Sequence, residues 1–148
     1  MPTTTLPHPL PDTDDRQWAA GVHIAALVLA LLTSWMSGLA GALVAGVVYL
    51  AKRDNAPFVA AHAREALNFN LSMFLYACGF AVLGFVLLGT TLLTLGLGAL
   101  VTVPLGLVLV VAVAALAVAW LVCSIVAAVK AWNGEPYRYP LSIRLIQG

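Results

Sequence analysis

The chain has 148 residues, of which 62% are hydrophobic and 9% charged, and its formal net charge is +1. A water-soluble domain carries roughly 25% charged residues, so a separate soluble core is excluded. A near-neutral chain also lacks the basic field that nucleic acid binding needs, and its length limits it to one domain.

The charges fall in three clusters: Asp12, Asp14, Asp15 and Arg16; Lys52, Arg53, Asp54, Arg64 and Glu65; and Lys130, Glu135, Arg138 and Arg144. Residues 17–51 and 66–129 carry none. An ionised side chain at the bilayer centre costs roughly 2.5–3.5 kcal/mol. Charge segregated in this way indicates an integral membrane protein, with the lipid bilayer as its first partner.

In chain order, residues 1–15 hold Pro2, Pro7, Pro9 and Pro11 and no Lys or Arg. They lack the positive start of a secretory signal and are expected to be a disordered cytosolic tail. Residues 16–148 then form the membrane domain. As one helix, residues 17–51 would run to about 52 Å, against a hydrocarbon core of about 30 Å. The sequence Ser34-Trp35-Met36-Ser37-Gly38 breaks that run. Two short helices are expected, at 19–33 and 39–51. They either cross a thinned bilayer or form a re-entrant hairpin.

An amphipathic cytoplasmic segment, residues 54–66, follows. Asp54 and Asn55 offer polar caps and Pro57 suits a first helical turn. The helical pattern continues into a third span, ending near residue 88. At 100° per residue, His62, Glu65, Asn68, Ser72 and Tyr76 lie within about 120° of one another, a polar ridge descending into the membrane. Such a ridge either glues helices together or lines a vestibule for a proton, ion, lipid headgroup or peptide. His62 and Glu65 have the spacing of two metal ligands, but no third and fourth match them; neither a metal nor a cofactor is expected.

Gly89 to Gly98 reads as an apolar connection at the far interface. Pro104 fits the first turn of a fourth span, 104–129. Four crossings gather every Lys and Arg on one face, so both termini are expected in the cytoplasm. In the cytoplasmic segment 130–148, Asn133-Gly134 ends the helix and Pro136 and Pro140 forbid its continuation. Trp132, Tyr137 and Tyr139 suit an interface. This segment is either a simple anchor or a tail folded across the mouth of the bundle. In the second case Glu65 pairs with Arg138 or Arg144, and Tyr139 packs alongside.

Cys78 and Cys123 fall in spans and read as small hydrophobes without a disulfide. Small residues such as Ala42/Gly46 and Ala115/Ala119 allow close helix packing, within the bundle or between copies. No enzyme is expected. There is no phosphate loop and no paired carboxylates in the spans, and His62 and Ser72 are about 15 Å apart by helical rise.

Phe58-Val59 with His62-Ala63-Arg64-Glu65-Ala66-Leu67-Asn68-Phe69-Asn70-Leu71-Ser72 resembles the loop-to-helix motif of a bacterial domain-of-unknown-function family. Lys130-Ala131, Gly134-Glu135, Tyr137-Arg138-Tyr139-Pro140-Leu141 and Ile143-Arg144 resemble its C-terminal motif, and Trp18 and His23 fit its first span. Asn70 stands where that family is expected to have glutamine. The family is similar to the four-helix membrane subunit of the chloroplast inner-envelope translocon. The resemblance implies an all-α, multi-pass protein of the bacterial cytoplasmic membrane with four transmembrane helices. The expected function is a structural or interaction component assisting insertion, translocation or assembly of membrane proteins, with a membrane-protein partner or further copies of itself. The alternative is a small channel or transporter for ions, protons or a small solute. The candidate polar-ridge or partner-binding residues are His62, Arg64, Glu65, Asn68, Ser72, Glu135, Arg138, Tyr139 and Arg144.

Overall fold

A computed structural model describes residues 10–33 and 37–147; the expected tail at residues 1–9 and the break at residues 34–36 lie outside them. Four helices make up the regular structure, and no strand occurs among the described residues: α1 (Thr13–Leu32), α2 (Ser37–Lys52), α3 (Pro57–Leu93) and α4 (Ala99–Trp132).

Helix α1 starts inside the segment expected to be disordered. Asp12 caps it by accepting a hydrogen bond from the Asp15 amide at 2.7 Å. Asp14 and Asp15 add negative charge to its first turn, where the helix dipole favours it. The start of α3 also differs from expectation. Its N-cap is Ala56, with no side-chain cap bond, and Asp54 and Asn55 sit in the preceding turn. Pro57 does occupy the first helical turn.

Among the described residues only α3 and α4 are long and apolar enough to cross a membrane, where four such helices are expected from the sequence; α1 carries the first charge cluster and α2 has a shorter apolar stretch, Gly38–Lys52. Both long helices outrun the expected spans. At 1.5 Å per residue α3 extends about 55 Å and α4 about 51 Å. Thr90 and Thr91 do not break α3, because their hydroxyls bond the Val86 and Leu87 carbonyls one turn back, at 2.9 and 3.0 Å. A hydroxyl satisfied by its own helix needs no water. The connection shrinks to residues 94–98. There Gly96 takes φ 87° and its amide caps the Thr91 carbonyl at 2.9 Å. Pro104 accordingly lies inside α4 and not in its first turn.

Packing is concentrated at one end. The buried residues of α3 run from Val59 to Met73, and those of α4 are Ser124, Ala127 and Ala131, apart from Thr102 near the opposite turn. Ala42 and Ala45 of α2 cluster with Ala63 and Ala66 of α3, and Ala19 and Ala20 of α1 with Ala131 of α4, all with almost no exposed surface. The basic residues collect at the same end: Arg16 opens α1, Lys52 closes α2, Arg64 lies early in α3 and Lys130 closes α4. Lys52 Nζ stands 4.5 Å from the ring centre of Trp18, a cation–π contact joining α1 and α2. Among the described residues the opposite half consists of α3 and α4 alone, paired at their tip by a 2.5 Å hydrogen bond between the Thr91 and Thr102 hydroxyls.

Candidate functional site: a tail bound along the polar ridge

Helix α4 ends where the Asn-Gly pair predicts. Asn133 caps it and Gly134 takes φ 76°. The chain then turns back across the bundle, and Lys130 is ion-paired with Glu135. Residues 139–146 lie against the ridge of α3, and nearly every polar bond between the two goes to the backbone of the tail. The Tyr139 amide donates to Glu65 Oε2 at 3.3 Å. The Tyr76 hydroxyl donates to the Leu141 carbonyl at 2.8 Å. The Ile143 amide donates to Ser72 Oγ at 2.8 Å. Asn68 grips both polar groups of Ile146: its Nδ2 donates to the carbonyl at 2.9 Å and its Oδ1 accepts from the amide at 2.8 Å.

The order of contacts traces a loop. The tail descends from Glu65 to Tyr76 and climbs back past Ser72 to Asn68. Its reversal is the turn at Pro140-Leu141, where Leu141 adopts φ 61°. A left-handed leucine is uncommon, and here the bonds on either side hold it.

Beneath the tail lies a buried chain of hydrogen bonds joining α1, α3 and the tail. His62 Nε2 is 3.1 Å from the Glu135 carbonyl, His62 Nδ1 is 3.0 Å from His23 Nε2, and His23 Nδ1 is 2.9 Å from the Tyr139 hydroxyl. A carbonyl only accepts, so with both rings neutral His62 Nε2 carries the proton and Nδ1 is the acceptor. His23 must then donate from Nε2 and accept at Nδ1, and Tyr139 must donate to it. The three protons have one consistent arrangement. The Tyr139 ring stacks on Phe69, with centres 3.9 Å apart, and Phe58 packs at 4.6 Å from the His62 ring.

Burial holds the Tyr139 phenol above its usual range, so it stays a donor. His62 precedes the apolar stretch of α3. Burial lowers its pKa from the ordinary histidine value, against smaller upward effects from the Glu135 carbonyl and the Glu65 carboxylate. A group depressed in the folded state contributes stability that is present above its unfolded value and lost as pH falls. The melting temperature in detergent should therefore be flat at neutral pH and drop as pH falls below about 6.5. Protonating the pair would set two N–H groups against each other. The double variant His23→Gln/His62→Gln should flatten that slope, as measured by thermal unfolding across pH.

Of the two expected arginine partners, Arg144 is the one beside Glu65, with Nε 3.6 Å from Oε1. Arg138 is exposed and in no ion pair among the described residues, and Arg64 is half-buried at the same end. Glutamine at position 65 keeps an acceptor for the Tyr139 amide and removes only charge. Double-mutant cycles on detergent stability should couple Glu65→Gln with Arg144→Gln by roughly 0.5–1 kcal/mol, and leave it additive with Arg138→Gln.

Three residues outside the expected set complete the site. His23 links α1 to it. Asn70 donates to the Ala66 carbonyl at 2.8 Å, and Trp120 Nε1 reaches Asn70 Oδ1 at 3.4 Å. A lone histidine in an apolar run, or an asparagine on another face of the helix from the ridge, signals this only when its buried polar atoms are asked for partners. Among the described residues no three His, Cys, Asp or Glu side chains converge as metal ligands.

No curated protein and no solved structure matches the chain, and nothing in the comparisons supports the likeness to the chloroplast translocon subunit. One family model, that of the magnetosome magnetite crystal formation proteins MamF and MmsF, matches residues 14–146. Nearly the whole chain is covered, including all four helices and the ridge-bound tail: it belongs to the MamF/MmsF magnetosome magnetite crystal formation family of small bacterial membrane proteins.

Proposed function

We propose that the chain is a multi-pass structural component of a bacterial membrane, serving magnetosome magnetite crystal formation through contacts with other membrane proteins or further copies of itself. In this reading α3 and α4 cross the bilayer, α1 and α2 form a re-entrant hairpin, and both termini are cytoplasmic. The gathering of Lys and Arg at one end supports that orientation. The observation that carries the structural role over conduction is the occupied ridge. Glu65, Asn68, Ser72 and Tyr76 bond the chain's own tail, so the polar groups that would replace a solute's hydration are already engaged.

The test has two arms. Vesicles containing the purified chain should show no proton or cation flux above lipid alone; flux that disappears with Glu65→Gln would establish a conduit instead. Cells of a magnetite-forming bacterium that lack the chain should form crystals of altered size or number; unchanged crystals would overturn the mineral role.

A further inference from the structure

The two halves of the bundle differ in cross-section. At the charged end four helices and the tail pack together; at the other end α3 and α4 stand alone among the described residues. The depth of the α1–α2 hairpin is fixed by its contacts. Gly38, at the start of α2, lies against the backbone of Asn70 and Phe74. Leu31, at the end of α1, borders an apolar cleft of about 610 Å³ together with Phe80, Ala81 and Ala117. Residues 33–36 join the two helices and can carry the turn no more than about 7 Å further. Helix α3 continues from Ala81 to Leu93, about 18 Å. At least about 11 Å of the α3–α4 pair therefore extends past the hairpin, roughly a third of a 30 Å hydrocarbon core. The surface of that extension is apolar: Phe85, Leu93, Leu95 and Leu100 are 73%, 87%, 94% and 86% exposed. Such side chains suit hydrocarbon and the interface, not water beyond it, so the α3–α4 tip sets the far boundary and the hairpin falls short of it.

A helix 10–12 Å across occupies roughly 80–110 Å² of membrane plane. The hairpin adds two such areas to the leaflet on the charged side, plus the tail, with no counterpart opposite. Given the topology proposed above, we infer a further activity: the chain is a wedge that favours curved membrane whose convex face is the cytoplasmic one. A flat bilayer around it must thin or tilt to fill the space beside the outer half of α3–α4. A bilayer bent toward the far side removes that mismatch.

The test uses the full-length chain, fluorescently labelled at its C-terminus, in giant phospholipid vesicles from which narrow tubes are drawn. An impermeant quencher distinguishes tail-outward from tail-inward molecules. Tail-outward molecules should be enriched in the tube relative to the parent vesicle, increasingly so as the tube narrows, and tail-inward ones depleted. Equal ratios in tube and vesicle would overturn the wedge. A variant with two Leu/Ala helical turns added to each arm, between Thr33 and Ser37, keeps the charged end and should lose the sorting; if it sorts like the parent chain, the wedge is also overturned. Alkylation of Met36→Cys, in a Cys78→Ala/Cys123→Ala background, separates the two readings. Protection from both sides alongside absent sorting rejects the wedge alone. Labelling from the far side rejects the re-entrant topology itself.

Discussion

Tyr139→Ala should be the most destabilising single substitution in the tail, lowering stability in detergent by about 3 kcal/mol or more, as truncation of a buried aromatic does. The ring is 4% exposed, stacks on Phe69 and ends the hydrogen-bond chain through His23 and His62. Its loss leaves a cavity against α3 and α4 and an unsatisfied nitrogen on His23. Tyr139→Phe keeps the packing and strands only that nitrogen, so it should cost about 1–3 kcal/mol. The tail should also become accessible to protease in the alanine variant before the helices unfold, because the backbone bonds to Asn68, Ser72 and Tyr76 depend on the anchor. Thermal unfolding of the two variants, with limited proteolysis of the C-terminus, measures both effects. Equal stability of the two would mean that the ring contributes nothing by packing.

A second large effect is expected where α2 meets α3. A Cβ on Gly41 would stand 2.5 Å from Asn70 Oδ1, 2.8 Å from its Cγ and 3.2 Å from the Ala26 carbonyl. Asn70 cannot swing away cheaply, because its amide is bonded to Ala66 and Trp120. A Cβ on Gly38 would meet the Asn70 carbonyl at 2.8 Å and the Phe74 amide nitrogen at 2.9 Å, both backbone atoms. Gly38→Ala and Gly41→Ala must therefore push the helices apart, at about 1–3 kcal/mol each. Gly79→Ala meets nothing within 4 Å and should be neutral or slightly stabilising, since alanine is the better helix former. Melting temperatures of the three variants check the contrast; a Gly79→Ala loss as large as the other two would show that the close approach of α2 is not what these glycines serve. The same contact explains Asn70, since the extra methylene of a glutamine there would press on Gly41.

How much of this the sequence discloses depends on which atoms carry each feature. Segregated charge marks the membrane protein because hydrocarbon excludes ions regardless of fold. The end of α4 is legible because Gly134 takes a backbone angle that glycine tolerates best. The ridge is legible because its members are side chains at helical spacing. Its occupant is not, because the bonds run to main-chain atoms of residues 139–146, which nearly any sequence supplies. The spacing leaves Arg138 and Arg144 equivalent; the turn at Pro140-Leu141 decides between them by carrying Arg144 back up to Glu65. The helix lengths are misjudged for a related reason: Thr90 and Thr91 read as loop residues, yet their hydroxyls fold back on their own helix.

The most direct measurement is the depth of spin labels in the reconstituted chain, read from their relative accessibility to oxygen and to a water-soluble relaxation agent. Leu32 and Leu95 are both exposed, so a label at either perturbs little packing. With α1 and α2 forming a hairpin that stops short of the α3–α4 tip, a label at Leu32→Cys should lie within the hydrocarbon and one at Leu95→Cys at the far headgroups. Equal headgroup depth at the two positions would contradict the re-entrant arrangement and make the chain a bundle of four full crossings.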